Sequence, residues 1–306
     1  MNGAKILPSQ TTRATAQQKE NIMSNKILVT GATGNIGSPL VQELKASGAD
    51  FAVMTSKPGA TIAGVETRYG DFASAATLTA AFNGIDTVFL LFPLVENKVD
   101  LAKNAAVAAK AAGVKHIVRS SGAGADSTSP FALPKLQGEI DDVLAATGIA
   151  STFLRPAGFM QNYVAYQSQA IKDGTIYMAD AGQAQSLIDA RDIAAVAAQV
   201  LANPTPHAGK AYTLTGGEAF TGEQAATTIS AAIGKPVKHV SVPTEAAVAT
   251  MNQWGMPPFI VNVMDSLNKI VSAGYASGVS PDVEHILGRK PRTFAAFVGE
   301  NASAWK

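Results

Sequence analysis

The stretch ILVTGATGNIG, residues 27–37, places three glycines three residues apart directly after an apolar run. The run predicts a strand, and Gly31, Gly34 and Gly37 predict a tight turn that opens a helix. Without side chains, the backbone of such a turn can approach a pyrophosphate, whose charge is favoured by the free N–H groups and positive dipole end of the helix. The stretch therefore predicts dinucleotide binding, and a merely structural tight turn is the alternative.

The rest of the chain supplies the context that this turn requires. From Lys26 onward, short β-branched or aromatic runs alternate with longer alanine-rich segments of helical period. The predicted strands are 26–30, 50–55, 65–70, 86–92, 116–121 and 151–156, and the predicted helices are 36–47, 74–82, 98–112 and 133–147. This alternation predicts a parallel sheet covered on both faces. The predicted fold class is α/β, a doubly wound parallel Rossmann-type sheet with a smaller mixed α/β C-terminal lobe.

Three segments are predicted along the chain. Residues 1–24 are polar and rich in Thr and Gln, which predicts a disordered N-terminal extension. Residues 25–155 form the predicted dinucleotide-binding domain. Residues 156–306 form the predicted substrate lobe, partly interleaved with the first domain. In it DARDIAAVAAQVL predicts a helix with Asp189 near its start, and TGEQAATTISAAIG followed by VKHVSVP predicts an outer αβ unit.

Composition excludes several classes of function. The formal net charge is +1 with no run of Lys or Arg, so nothing indicates a nucleic acid or an anionic membrane surface as partner. The chain has no cysteine, and its four histidines lack metal-ligand spacing, so no metal site is expected. No apolar run approaches the roughly 20 residues of a membrane span. The sequence predicts a cytoplasmic protein, a monomer or a homodimer, that binds a small molecule.

The end of the second predicted strand indicates which nicotinamide cofactor is bound. An acidic residue there bonds the ribose 2′-hydroxyl of NAD, whereas a basic group accepts the 2′-phosphate of NADP. Ser56 and Lys57 occupy this zone, and Asp50 lies at the other end of the strand. These residues favour NADP, with NAD possible. A solvated loop charge is the alternative for Lys57.

Several motifs together resemble one family. They are TGATGNIG at the turn, GDF at 70–72, GIDTVFLLFP at 84–93, HIVRSSGAGAD at 116–126 and TGIASTFLRPAGFMQNY at 147–163. From about Asn25 to the C-terminus the chain resembles the NmrA-like, atypical short-chain dehydrogenase/reductase group. That group includes NAD(P)H-dependent reductases of quinones, dyes and natural-product intermediates. It also includes cofactor-binding regulators without turnover.

The resemblance implies an NAD(P)H-dependent oxidoreductase that transfers hydride to a small apolar acceptor such as a quinone. A redox-sensing regulator that binds the dinucleotide without turnover is the alternative. The cofactor-binding positions that the resemblance implies are Thr30, Gly31, Thr33, Gly34, Asn35, Ile36, Gly37, Asp71, Phe72, Leu91, Phe92, Pro93, Ser120, Pro156, Ala157 and Phe159. Helix capping is the alternative for Asp71, and burial in the core is the alternative for Leu91 and Phe92.

The residues for proton transfer differ from the usual pattern of short-chain dehydrogenases. Those enzymes use a Tyr four residues before a Lys, and none of the six tyrosines here has Lys at that position. The nearest match is FALPK, with Phe131 in place of the Tyr and Lys135 in register. The predicted catalytic residues are Lys135, which would also bind the cofactor, and Ser121 at the end of the fifth strand. A phenyl ring donates no proton, so the reaction is expected to need little acid catalysis from position 131.

An acceptor pocket is predicted from aromatic residues in the C-terminal half. In the family that the chain resembles, the C-terminal lobe covers the acceptor site. Phe159, Tyr163, Trp254 and Phe259 are therefore predicted to line a pocket for a flat apolar molecule, together with adaptable methionines. A core position is the alternative for such residues.

Overall fold

A seven-stranded parallel sheet runs through the molecule. The structure, a computed structural model, describes residues 25–62 and 64–306, so the predicted disordered extension lies outside the described residues. The strands are β1 (Ile27–Val29), β2 (Phe51–Thr55), β3 (Glu66–Tyr69), β4 (Thr87–Leu90), β5 (His116–Ser120), β6 (Ala150–Pro156), β7 (Thr175–Met178), β8 (Ala211–Leu214) and β9 (Lys238–Ser241). The main sheet has the order β3-β2-β1-β4-β5-β6-β8. This order confirms the predicted doubly wound sheet.

Helices cover both faces of this sheet. They are α1 (Gly37–Ser47), α2 (Ala75–Phe82), α3 (Lys98–Ala112), α4 (Ala132–Ala145), α5 (Asn162–Ala165), α6 (Ser168–Lys172), α7 (Ala190–Ala202), α8 (Gly222–Ile233), α9 (Thr244–Gln253), α10 (Pro258–Ser272), α11 (Asp282–Leu287) and α12 (Phe294–Asn301). None of these helices, nor any other in the described part of the chain, is long and apolar enough to span a membrane.

The two faces of the sheet form two separate cores because successive strand residues point in opposite directions. On β1, Leu28 packs with the cores of α2, α3 and α4. Its neighbours Ile27 and Val29 pack on the other face, against α1 and α7. All three side chains are buried. Burial on both faces explains why the strand reads as a continuous apolar run.

Local sequence signals set several helix ends. Gly48 and Gly113 end α1 and α3 in the left-handed conformation, which glycine adopts without strain. The Asp189 side chain caps α7, as predicted, by accepting a hydrogen bond from the Arg191 N–H. Thr221 caps α8 in a reciprocal capping box.

The C-terminal half contributes a smaller mixed lobe. Its parallel pair β7–β9 packs with α5, α6, α8 and α12 around a third core. Strand β8, however, joins the main sheet beside β6. The chain thus returns to the first unit after leaving it, and the division at residue 155 stays a prediction.

Candidate cofactor and acceptor site

The glycine turn lies where the sheet order reverses, between β1 and β4, which is the usual ligand crevice of such sheets. Gly31 has a φ of 67°, and a Cβ there would lie 2.8 Å from the Leu91 Cδ2 atom. A Cβ on Gly37 would lie 2.0 Å from the Gly31 carbonyl oxygen. The left-handed backbone and the close contact with Leu91 therefore require a glycine at Gly31, and the close packing of the turn on itself requires one at Gly37.

Gly34 differs from the other two glycines, because no atom of the protein crowds its position and the turn is exposed to solvent there. A Cβ at Gly34 would meet only the Gly31 carbonyl oxygen, at an ordinary 3.5 Å. Thr33, Gly34 and Asn35 are exposed. Helix α1 has no side-chain cap at Ile36 and no acidic residue in its first turn. Within the described chain, no acceptor bonds the N–H groups of Thr33, Asn35 and Ile36. Ile36 is buried, so the N–H groups of the exposed Thr33 and Asn35 are the ones that fit a phosphate group.

Thr30 supports the turn from below. It is fully buried, and its hydroxyl donates to the Phe89 carbonyl at 3.0 Å and accepts from the Leu91 N–H at 2.8 Å. These bonds tie the end of β1 to the end of β4. The Thr30 hydroxyl is therefore engaged on both sides, and the Thr30 side chain positions the turn.

The ends of β2 and β3 border the crevice. Ser56 and Lys57 are exposed directly after β2, and neither of them carries a carboxylate. Asp71 accepts a hydrogen bond from the Ala73 N–H at 2.9 Å. Ser74 caps α2, so the capping alternative for Asp71 is wrong.

Aromatic packing joins the segment after β3, which contains Phe72, to the segment after β4, which contains Phe92. The ring centroids of Phe72 and Phe92 lie 4.7 Å apart. Phe92 is buried, Leu91 is half-buried and Pro93 is exposed. Phe92 thus belongs to the core, whereas Leu91 and Pro93 border the open edge of the crevice.

At the end of β5, Ser121 belongs to a buried network of charges. Its hydroxyl accepts from Arg119 Nη1 at 2.8 Å and donates to Asp141 Oδ2 at 3.0 Å. Arg119 also pairs with Asp141 and bonds the Gln137 side chain. Arg155 bonds the same carboxylate from β6 at 3.0 Å. Asp141 therefore holds two arginines from adjacent strands, and the Ser121 hydroxyl is already engaged on both sides.

Sequence reasoning missed this network. Arg119 stands inside an apolar strand and is fully buried. The arginine within this apolar run was the one sequence feature that could have indicated the network, since a buried guanidinium requires a buried partner. The partner Asp141 is 22 residues away on α4, where the sequence does not mark it.

Lys98, at the start of α3, adds a buried cation near this network. Only 5% of it is exposed, and no hydrogen bond or ion pair holds its ammonium group among the described residues. Burial, together with the positive charge of Arg119, lowers the pKa of Lys98 to about 8, and Asp141 opposes part of this shift. The folded protein therefore disfavours the charged lysine.

We expect Lys98→Met to raise the free energy of unfolding by about 3 kcal/mol at neutral pH, since one pKa unit corresponds to about 1.4 kcal/mol. The folded-state pKa of about 8 lies below the ordinary 10.5. Between these values the unfolded chain keeps its proton while the folded protein has lost it, so wild-type stability rises with pH there. The extra stability of the variant over wild type, measured by urea denaturation, should therefore decrease as the pH rises between these two pKa values. Lys110→Met, at an exposed position, is the control, and a pH-independent advantage would contradict this reading.

The start of α4 faces the C-terminal lobe. Lys135 is exposed in the first turn, and its N–H bonds the Phe131 carbonyl at 3.0 Å. The Leu133 N–H bonds the Ser266 hydroxyl of α10 at 3.2 Å. The Phe131 ring contacts Tyr275, which follows α10. Lys135 thus lies beside the contact between the two halves of the chain.

The four residues predicted to line the acceptor pocket occupy different environments. Phe159 is half-buried and pairs with Ile188. Tyr163 lies in the core of the outer lobe, where its ring centroid is 5.0 Å from that of Phe294 and burial raises its pKa. Trp254 is 74% exposed. Phe259 packs against the core formed with α3 and α4. The structure thus leaves Trp254 and Phe159 accessible and encloses Tyr163.

The residues after β6 complete the edge of the sheet. Pro156 is buried, and its carbonyl accepts from the Ala123 N–H at 2.9 Å. The Ala157 N–H bonds the Leu214 carbonyl of β8 at 2.9 Å. Ser120 is buried at the end of β5. These bonds hold the backbone at the ends of β5 and β6, where Ser120, Pro156 and Ala157 are predicted to bind the cofactor.

A cavity of about 420 Å³ adjoins the glycine turn, a volume in the range of small-molecule sites. Its lining residues are Asn35, Gln161, Val164, Ala165, Arg191, Phe297, Glu300 and Asn301. Arg191 pairs with Asp189 and Glu300, so its charge is compensated. Apart from Asn35, sequence reasoning found none of these residues, because they come from three distant segments. No cluster of His, Asp or Glu suited to a metal ion occurs within residues 25–62 and 64–306.

Comparisons with known proteins agree with this geometry. Residues 23–298 match the model of the NmrA-like family. An NAD(P)H azoreductase from Xenophilus azovorans is 39% identical over 284 residues, which cover 91% of this chain and 99% of that protein. The structure of the NADPH-dependent quinone oxidoreductase from Escherichia coli, complexed with NADPH, has a TM-score of 0.82 at 28% identity and covers 90% of this chain and 99% of that one. The Citrobacter sp. triphenylmethane reductase complexed with NADP(H) has a TM-score of 0.79 at 28% identity, with the same coverage.

Proposed function

Because this chain belongs to the NmrA-like family, we propose that it is an NAD(P)H-dependent reductase that transfers hydride to a small, electron-poor aromatic acceptor of the quinone or azo class. The observation that carries the proposal is the open glycine turn at the switch point of the sheet, where exposed donors at the start of α1 have no acid beside them. The reductase relatives support the same reaction type.

The described residues suggest how the dinucleotide is held. The N–H groups of the turn bind the pyrophosphate, and Asp71 with Phe72 flanks the adenine. Leu91 and Pro93 line the cofactor past β4, and the segment after β6 walls the nicotinamide end. The bound cofactor supplies the hydride. The protein's own contribution is to orient the acceptor and keep water away from the reacting face.

The exposed Lys57 favours NADPH over NADH in this proposal. We expect Lys57→Ala to weaken NADPH binding about tenfold, because one charge-assisted hydrogen bond to the 2′-phosphate contributes about 1.5 kcal/mol. NADH, which lacks that phosphate, should bind the variant and the wild type equally. Calorimetric titration with both cofactors measures this. Lys110→Ala, an exposed lysine on α3, is the control. Equal weakening of both cofactors would reject the role of Lys57.

We assign Lys135 and Ser121 different parts. Lys135 is exposed beside the contact between the two lobes, where its ammonium can bond the cofactor ribose or an acceptor oxygen. The Ser121 hydroxyl is engaged by Arg119 and Asp141, so we assign it the positioning of the end of β5. Phe131 donates no proton, which favours acceptors that take hydride readily.

A panel of acceptors tests the proposal. The wild-type protein is mixed with NADPH or NADH and a quinone, an azo dye, a cationic triphenylmethane dye or a simple ketone, and oxidation is followed by absorbance. Turnover with the electron-poor acceptors and little with the ketone is the expected result. Turnover with the ketone alone would overturn the proposed acceptor class. Tight cofactor binding without any turnover would favour the redox-sensing alternative.

A further inference from the structure

We propose that Tyr275 is the proton donor to the reduced acceptor, so that the C-terminal lobe supplies the phenol that the start of α4 lacks. This inference rests on the reductase function proposed above. Phe131 stands four residues before Lys135, where dehydrogenases with the usual pattern carry their tyrosine. The rings of Phe131 and Tyr275 meet edge to face, with centroids 6.2 Å apart and planes at 69°. A phenol therefore lies against Phe131, the position at which the usual pattern has a tyrosine.

The backbone around Tyr275 is held on both sides. The Tyr275 N–H bonds the Ile270 carbonyl at 3.1 Å. The Ser186 N–H bonds the Ala276 carbonyl at 2.9 Å, and the Ser186 hydroxyl bonds the Gly278 carbonyl at 2.7 Å. Despite this anchoring, the Tyr275 side chain is 71% exposed. A fixed backbone with an open aromatic side chain is suited to contact with a bound molecule.

Tyr275 is also the tyrosine best placed among the six in the described chain. Tyr163 is enclosed in the outer lobe and its hydroxyl is directed at the Met178 sulfur. The Tyr212 hydroxyl is paired with His207 Nδ1 at 2.8 Å. The remaining ones, Tyr69, Tyr166 and Tyr177, are exposed, and the ring contacts of the described residues place none of them against Phe131.

The proposed step is balanced for a quinone. Hydride from the reduced nicotinamide forms a bond to the acceptor and leaves a hydroquinone monoanion, with oxidised nicotinamide as the other product. The O–H bond of Tyr275 breaks as its proton moves to the anionic oxygen, and the tyrosinate regains a proton from solvent. Lys135, exposed on the first turn of α4, supplies a positive charge on this side of the crevice. A cationic triphenylmethane dye differs, because hydride addition to its central carbon gives a neutral product without proton uptake.

The test compares Tyr275→Phe with wild type on these two acceptor classes. The variant keeps the aromatic ring and loses only the hydroxyl. With the quinone, kcat should fall about 100-fold, since general acid catalysis contributes at least about that factor. With the cationic dye, kcat should stay within about twofold of wild type. Tyr177→Phe, an exposed tyrosine of the outer lobe, should match wild type on both.

Binding of the hydroquinone product tests the role of Tyr275 independently of turnover. Calorimetry of the cofactor-free protein with a hydroquinone should show about fivefold weaker binding in Tyr275→Phe, because one hydrogen bond contributes about 1 kcal/mol. Equal quinone turnover and equal hydroquinone binding in variant and wild type would overturn the role of Tyr275 and leave the reductase function standing. An equal loss on both acceptor classes would overturn it too, since it would indicate general damage. A wild-type protein inactive with every acceptor would overturn the reductase function and this inference with it.

Discussion

Replacing Gly34 with valine is expected to weaken NADPH binding about 100-fold without changing the thermal unfolding temperature. A Cβ at Gly34 would meet only one atom, at 3.5 Å, and the position is exposed, so the fold has room for a larger side chain. The added methyl groups, however, cover the open N–H groups of the turn and keep a pyrophosphate away. Loss of two charge-assisted hydrogen bonds, at about 1.5 kcal/mol each, corresponds to about that factor. Calorimetric titration measures the affinity.

The matched control is Ala111→Val, an exposed position near the end of α3. It adds a similar branched side chain far from the turn, and its cofactor affinity should equal that of wild type. If Gly34→Val binds NADPH as tightly as wild type, the glycine turn does not bind the pyrophosphate. Gly37→Val would be a poor substitute, because its Cβ overlaps the backbone of the turn and damages the fold itself.

Replacing Asp141 with asparagine is expected to lower the free energy of unfolding by about 3–5 kcal/mol, the usual cost of removing one partner of a buried ion pair. Asp141 is buried and accepts hydrogen bonds from Arg119, Arg155 and Ser121. The variant leaves the fully buried Arg119 guanidinium without a countercharge. Urea denaturation followed by circular dichroism measures the change.

Asp142→Asn is the control, since Asp142 neighbours Asp141 on α4 but is exposed. Its stability should change by less than about 0.5 kcal/mol. A similar small change in Asp141→Asn would show that the network contributes little to stability, and with it the positioning role given to Ser121 would fall.

The fold could be predicted because its signals are local. The glycine turn, the apolar strand of β1 and the left-handed glycines after α1 and α3 each depend on a few neighbouring residues. Prediction placed the fourth strand at 86–92, whereas β4 ends at Leu90. The chain leaves the sheet there as Leu91 turns toward Thr30.

The candidate site was less accessible to sequence reasoning because it depends on packing between distant segments. Arg155 and Asp141 are 14 residues apart and meet only when β6 and α4 pack. Tyr163 and Trp254 are both aromatic residues in the C-terminal half, yet one is enclosed by Phe294 and the other is open to solvent. The contact between Phe131 and Tyr275 likewise joins the two halves of the chain, and no local sequence pattern predicts it.

The reductase function is tested most directly by a single-turnover reaction of the wild-type protein, in excess, with NADPH and a quinone. We expect the absorbance of the reduced nicotinamide to disappear and one hydroquinone to form for each NADP⁺. If NADPH binds but remains reduced in the presence of quinone and azo acceptors, the protein is not the proposed reductase and the crevice serves to sense the cofactor. If NADPH and NADH both fail to bind, the interpretation of the glycine turn itself is wrong.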